Sequence, residues 1–304
     1  MNKVNLVKSN RLTDLPEALI HQIISHLDMK EVIQTSFLST KWRYLWRSVP
    51  SLKFDDFCER TRKDIEPNVF TDFVNRSLSY HHVDINEFSL LFYHYEGLDG
   101  SHVKSWIIEA LRRHVRRLCV GSFLSSPLDF PDHLFTSNVE TMELSFLASS
   151  TQLPSSMCTA LRVKRLDLEG VKFPDGNSNG ELIVSWLSLE VVRIGFCDFT
   201  HIQTLTISAP RLKIFDLSSR DEDDSFKLNI SCPNLKLLSW ASGSSMDCSP
   251  VKIPAIVKAD IIVFIRDNLG KEESARRWIK VLTGIPYVQV LTVSSYNLKV
   301  CCLS

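Results

Sequence analysis

Hydrophobic positions follow two different rhythms along the chain. In RLTDLPEALIHQIISHLDMKEVIQTSFLSTKWRYLW, residues 11–46, the spacing is helical: Leu19, Ile20, Ile23, Ile24 and Leu27 form one apolar stripe behind Pro16 and Glu17, both favoured in a first turn. Asp28, three residues before Glu31, predicts a capping box that starts a second helix through Val32 and Ile33. Ser39 or Thr40 is placed to cap a third helix carrying Trp42, Leu45 and Trp46. From residue 85 the rhythm becomes apolar-x-x-apolar-x-apolar, as in Val115 to Val120, Val139 to Leu144, Val163 to Leu168, Leu189 to Ile194, Leu212 to Leu217 and Leu235 to Trp240. The fourth positions, 118, 142, 166, 192, 215 and 238, recur every 23–26 residues, and weaker copies centre on Phe88, Ala259 and Leu291. The two wider intervals accommodate helices, one with Val103, Trp106, Ile107, Ala110 and Leu111 on a face and one with Ala275, Trp278, Ile279 and Leu282. Residues 51–84 read as a junction, with Val69, Phe70, Phe73, Val74 and Leu78 in a bridging helix.

One alternating segment per unit, returning through a helix or irregular chain, predicts an α/β fold: a small N-terminal three-helix module followed by a leucine-rich-repeat solenoid with a parallel curved sheet. Alternation turns the fourth and sixth positions of each unit inward, so Arg117, Cys119, Thr141, Glu143, Arg165, Asp167, Glu169, Arg193, Asp216 and Ser239 face outward on the concave side. Arg117, Glu143, Arg165, Asp167, Arg193 and Asp216 are the candidate target-binding residues of that face, and salt bridges between repeats are the competing use for them. Three short helices cannot bury five branched aliphatics and two tryptophans among themselves, so the N-terminal module needs a partner, either the rest of the chain or another protein.

Composition narrows the chemistry. At ~150 residues per domain, 304 residues predict about two domains. Lys+Arg 35 against Asp+Glu 35 leaves no basic footprint for nucleic acid and no charge excess for a membrane surface. The 10 glycines include neither G-x-G-x-x-G nor a P-loop, which argues against the commonest nucleotide enzymes. Eight scattered cysteines without C-x-x-C or zinc spacing, and no apolar leader, point to a reduced, intracellular setting in nucleus or cytoplasm, with no metal and no cofactor expected. Cys301 and Cys302 read as thiols near a frayed end. The longest apolar run, Ile261 to Ile265, is too short to cross a bilayer. His21 and His26 are spaced wrongly for a helical metal pair, Asp221 to Asp224 lacks the alternating ligands of a calcium loop, and the cluster Arg112, Arg113, Arg116 and Arg117 reads as a solvated corner or a phosphate reader.

Leu15-Pro16, Ile20, Ile23-Ile24, Leu27, Val32 and the cluster SFLSTKWRYLW together resemble the F-box over about residues 11–50. The resemblance implies that this segment docks on the Skp adaptor of a cullin-based ubiquitin ligase through Leu15, Pro16, Ile20, Ile23, Ile24, Leu27, Val32, Leu38 and Trp42. ISAPRLKIFDLS and ISCPNLKLLSW look like plant F-box/leucine-rich-repeat proteins, many of which carry a further C-terminal domain called FBD. This sequence stops at Ser304, soon after the segment that would lead into it, so that either this member lacks the domain or the sequence is that of a shortened product. The organisation implied is an F-box at 11–50, a junction at 51–84 and repeats at 85–300. The function implied is a non-enzymatic substrate receptor, partnered by the adaptor, through it a cullin, and an unknown target protein. A repeat scaffold that delivers no substrate, and an enzyme using a cysteine, stand as the alternatives.

Overall fold

The computed structural model describes residues 15–40, 42–55, 67–93, 98–124, 126–146, 151–219, 227–243, 247–250, 253–264 and 271–293. Cys58, Asp221 to Asp224, Cys301 and Cys302 lie outside the described residues.

Helix α1, Glu17–Ile24, starts at Pro16, and α2, Met29–Gln34, starts at the expected capping box. Asp28 Oδ1 accepts from the Glu31 N–H at 2.7 Å, and Glu31 Oε2 accepts from the Asp28 N–H at 3.2 Å. A 3-10 turn, Thr35–Phe37, follows directly on α2, and the expected third helix contracts to a 3-10 turn, Leu45–Ser48, although Ser39 Oγ does accept from the Trp42 N–H at 3.4 Å. Side-chain packing accounts for the contraction. Trp42 is drawn into the core, and the Arg47 guanidinium sits over the rings of Tyr44, Trp46 and Tyr80 at 5.0, 5.5 and 5.3 Å. The cation–aromatic chemistry of this tryptophan-rich cluster is thus spent inside the chain.

Ten strands form one parallel sheet in the order β1-β2-β3-β4-β5-β7-β9-β11-β13-β14. They are β1 Ser51–Asp55, β2 Glu87–Phe92, β3 Arg117–Ser122, β4 Thr141–Phe146, β5 Arg165–Glu169, β7 Val191–Gly195, β9 Ile214–Ser218, β11 Leu237–Gly243, β13 Lys258–Phe264 and β14 Val290–Val293. The six strong copies occupy neighbouring strands, and their fourth and sixth residues, from Leu118 and Val120 to Leu238 and Trp240, are all buried. Each such side chain stabilises the solenoid by roughly 1.5–3 kcal/mol. The sheet begins earlier than expected: β1 lies within the presumed junction, yet it pairs with β2 in the common register, Leu52 opposite Phe88.

The convex side holds a second layer that the repeat pattern did not predict. Strands β6 Glu181–Ser185, β8 Thr204–Ser208, β10 Lys227–Ser231 and β12 Asp247–Pro250 make a four-stranded parallel sheet. Repeat length accounts for it. A helix advances about 1.5 Å per residue and a strand about 3.3 Å, so a short return must be extended to cover the same arc. The returns between Ser51 and Glu87, Glu87 and Arg117, and Lys258 and Val290 are the longest, and they hold α3 Pro67–Tyr80, α4 Gly100–Arg112 and α5 Lys271–Gly284. The shorter returns after β5, β7, β9 and β11 hold strands. In α4 the expected face is buried, whereas in α5 Ile279 and Leu282 of the expected stripe are exposed and Val281 and Ile285 are buried instead. Ile279 and Leu282 therefore lie on the outer side of this helix, because Val281 within it and Ile285 just beyond it pack on the core.

Where α3 meets the main sheet, His81 is 1% exposed. Burial pushes its imidazole down to about 4, reinforced by the Arg113 guanidinium and His82. Arg113 is held there by donating to the carbonyl oxygens of His81 and Leu78. The folded imidazole stays neutral while the unfolded one protonates below its ordinary 6.5. Stability present above that value should therefore fall as the pH drops towards 4, by roughly 2–3 kcal/mol. Denaturant melts across that interval should record the loss, and His81→Leu should flatten it. An unchanged acid limb in the variant assigns the loss to other groups.

Candidate functional surfaces

Two surfaces emerge, one on the N-terminal module and one on the concave sheet. The sequence stripe in α1 is too wide for a single face. Adjacent pairs split it: Ile20 and Ile24 point into the core, while Leu19 and Ile23 remain exposed on the stripe that Pro16 begins. Val32 and Trp42 are also buried in the chain's own core, and Leu15 and Leu27 are half-buried against it. Of the nine expected adaptor contacts, Ile20, Ile24, Val32 and Trp42 thus hold the module together, and Pro16, Ile23 and Leu38 are left open to solvent. Leu19 and Phe37, absent from that set, are exposed as well, Phe37 at 88%. Their signal was present in the i, i+4 partner of Ile23 and in the apolar pair Phe37-Leu38 set between polar residues at a helix end. The chain supplies one partner for the module, β1 and the core behind it, but that partner leaves these apolar side chains uncovered.

On the main sheet the strands share one register, so outward residues form continuous rows. Cys119, Glu143, Asp167, Arg193 and Asp216 stand side by side in the middle row. Arg117 and Arg165 belong to the row before it, with Thr141 between them. The predicted residues are therefore brought onto one face, and most of them are already paired. Asp167 Oδ2 accepts from Arg165 Nη2 at 2.7 Å and from Arg193 Nη1 at 3.3 Å. Arg165 Nε lies 3.8 Å from Glu143 Oε1, and Arg117 Nη1 lies 4.0 Å from Glu87 Oε1. The salt-bridge reading is met for most of these residues, and such half-exposed pairs contribute only about 0–1 kcal/mol each.

A hollow of about 390 Å³ opens on this face, with Tyr93 and Phe196 as walls and Ser145, Gly195 and Ser218 as small residues on its floor. A Cβ at Gly121, beside it, would strike the Tyr93 hydroxyl, so glycine is what lets that ring lie over the sheet. Glu143, Asp167, Glu169 and Asp216 surround the hollow with one cation, Arg193. A second hollow, of about 450 Å³, lies between His26, Asp28 and Glu31 of the module and Lys53, Glu87 and Arg117 of the sheet. The module thus adjoins the β1 end of the concave face.

Burial pushes the Cys119, Cys197 and Cys232 thiols up to about 12, with the Glu143 carboxylate adding to the effect on Cys119. All three are protonated near neutral pH and are poor nucleophiles. Among the described residues no helix is long and apolar enough to cross a membrane.

A family profile for the F-box domain matches residues 12–54. The chain is 31% identical over 311 residues to an F-box/LRR-repeat protein of Arabidopsis thaliana, covering 98% of this chain and 94% of that protein. It is 32% identical over 265 residues to an F-box/FBD/LRR-repeat protein of the same plant and 33% identical over 246 residues to another. These matches cover 84% and 78% of this chain but only 58% and 54% of those longer relatives. No solved structure matches it.

Proposed function

Since the chain belongs to the F-box/LRR-repeat family, we propose that it is the substrate-recognition subunit of a Skp–cullin–F-box ubiquitin ligase, with the F-box docked on the Skp adaptor and the concave sheet holding a target protein. The observation that carries this reading is the F-box segment itself, folded against β1 with Leu19, Ile23, Phe37 and Leu38 still exposed. The role is non-catalytic. Tethering a target beside the transfer site raises its effective concentration, and other subunits carry out the transfer of ubiquitin.

The target face is tested by replacing Arg117, Arg165 and Arg193 together with alanine. The half-exposed pairs lost should change stability by no more than about 0–1 kcal/mol apiece, so the variant folds. Adaptor co-purification should persist while the set of co-purified targets shrinks and their ubiquitination in a reconstituted ligase falls. An unchanged target set moves recognition off these residues. Adaptor binding with no ubiquitinated protein for either form supports the scaffold alternative.

A further inference from the structure

The edge of the main sheet at the N-terminal ends of its strands carries charge that neither surface above uses. The residue before each strand hydrogen-bonds its backbone to its counterpart in the next repeat, giving the continuous row Arg116, Glu140, Lys164, Glu190, Lys213 and Lys236. Within that row Lys164 Nζ pairs with Glu140 Oε2 and Lys213 Nζ with Glu190 Oε2, both at 2.6 Å. These pairs consume the row's two acids and hold both carboxyls below their ordinary range. Arg162 and Arg211, two residues before Lys164 and Lys213, add a second tier of positive charge. Arg116, Arg162, Arg211 and Lys236 are exposed and form no salt bridge among the described residues; Arg162 Nη1 donates to Asn138 Oδ1, and Arg116 and Arg211 add to the lowering of Glu140 and Glu190 from farther off. In a chain of zero formal net charge the eight residues of these two tiers, six cations and two acids, carry an excess of four positive charges, with Asp84 beside His114 as a flanking acid. A hollow of about 540 Å³ opens in it between Arg116, Arg162 and Lys164, with His114 and Leu161 at its sides.

We propose that this edge is an interaction surface for an extended, carboxylate-rich segment of a partner protein, with Arg116, Arg162 and Arg211 as its principal contacts. Geometry selects that occupant. Neighbouring strands lie about 4.8 Å apart, so the row from Arg116 before β3 to Lys236 before β11 runs roughly 24 Å as a line of separate charges. Same-side residues of an extended peptide recur about every 6.6–7 Å, so several Asp or Glu side chains can each meet a different cation along it. A phosphate group would instead favour several donors converging on one point. The surface is separate from the concave face and goes beyond the proposed receptor role. Binding alone tests it, whether or not ubiquitin is transferred.

The test uses the full chain and a fluorescein-labelled peptide of alternating aspartate and serine, followed by anisotropy. Binding should weaken steeply with added salt. Arg116→Glu, Arg162→Glu and Arg211→Glu combined should weaken it at least about tenfold, and the corresponding Gln triple variant, which keeps polar amides and is the control for folding, by less. Lys104→Ala, which removes a cation of α4 paired with Asp129 outside this edge, should leave it unchanged. Absence of binding by the wild-type chain, or indifference to the charge reversal, overturns the proposal. So does preferential binding of a singly phosphorylated, otherwise neutral peptide, or equally tight binding of single-stranded RNA of matched charge.

Discussion

Exchanging Ile23 and Phe37 together for glutamate should reduce binding of the Skp adaptor by at least about 100-fold while leaving the solenoid folded. Both side chains are exposed in the isolated chain, so the substitutions open no cavity and break no hydrogen bond of the fold. In a complex each would be an apolar anchor worth about 2 kcal/mol, and a buried carboxylate in its place adds a desolvation cost. The comparison that gives the result meaning is Trp42→Ala. Trp42 is 3% exposed, and its removal should lower the stability of the module by about 3–5 kcal/mol, losing the adaptor through unfolding rather than at the interface. Co-purification with the adaptor, read beside thermal melts of the same samples, separates the two routes. Undiminished adaptor binding by the double glutamate variant would place docking on another face.

Trp186→Ala should be the most destabilising single change in the repeats. The side chain is fully buried just after β6, where the convex layer changes from a 3-10 turn to a sheet, and its Nε1 donates to the Met157 carbonyl oxygen at 2.8 Å. Alanine leaves a large cavity and an orphaned buried acceptor, for a loss of about 3–5 kcal/mol and a melting temperature lower by on the order of 10 °C. Phenylalanine fills most of the space and forfeits only the hydrogen bond, so it should cost about 1–3 kcal/mol. Because repeats contact chiefly their neighbours, the N-terminal module should stay folded and still bind adaptor. Denaturant titration checks the ordering. A loss below about 1 kcal/mol for alanine would mean that the site collapses around the gap.

The concave face shows how far side-chain pattern carries. The inward positions from Leu118 to Trp240 and the outward row from Cys119 to Asp216 were legible because a strand alternates with a period of two and adjacent parallel units repeat in register. The pairing of Arg165 and Arg193 on a shared Asp167 was not legible: it depends on the rotamer Arg165 adopts along its own strand and on Arg193 arriving from the next one within about 4 Å. The convex strands left a signal that the repeat template passed over, since Leu182 and Val184, Leu205 and Ile207, and Leu228 and Ile230 alternate and also recur every 23 residues. Their returns are too short for a helix to span the arc, a constraint that becomes visible only once the strands on the concave side have been placed.

The chain by itself determined the elements whose cause is local: the capping box at Asp28 and Glu31, the α4 stripe from Val103 to Ala110, and one inward-facing alternation per repeat. It also carried the F-box pattern, which is a linear order of residue types. Tertiary structure alone decided which half of the α1 aliphatics is spent on the chain's own core, that β1 opens the sheet inside the presumed junction, and that α5 turns Ile279 outward. Each of those outcomes depends on what packs opposite. Spacing along a sequence shows that a face is apolar, whereas the surface that arrives to cover it is set by residues distant in the chain.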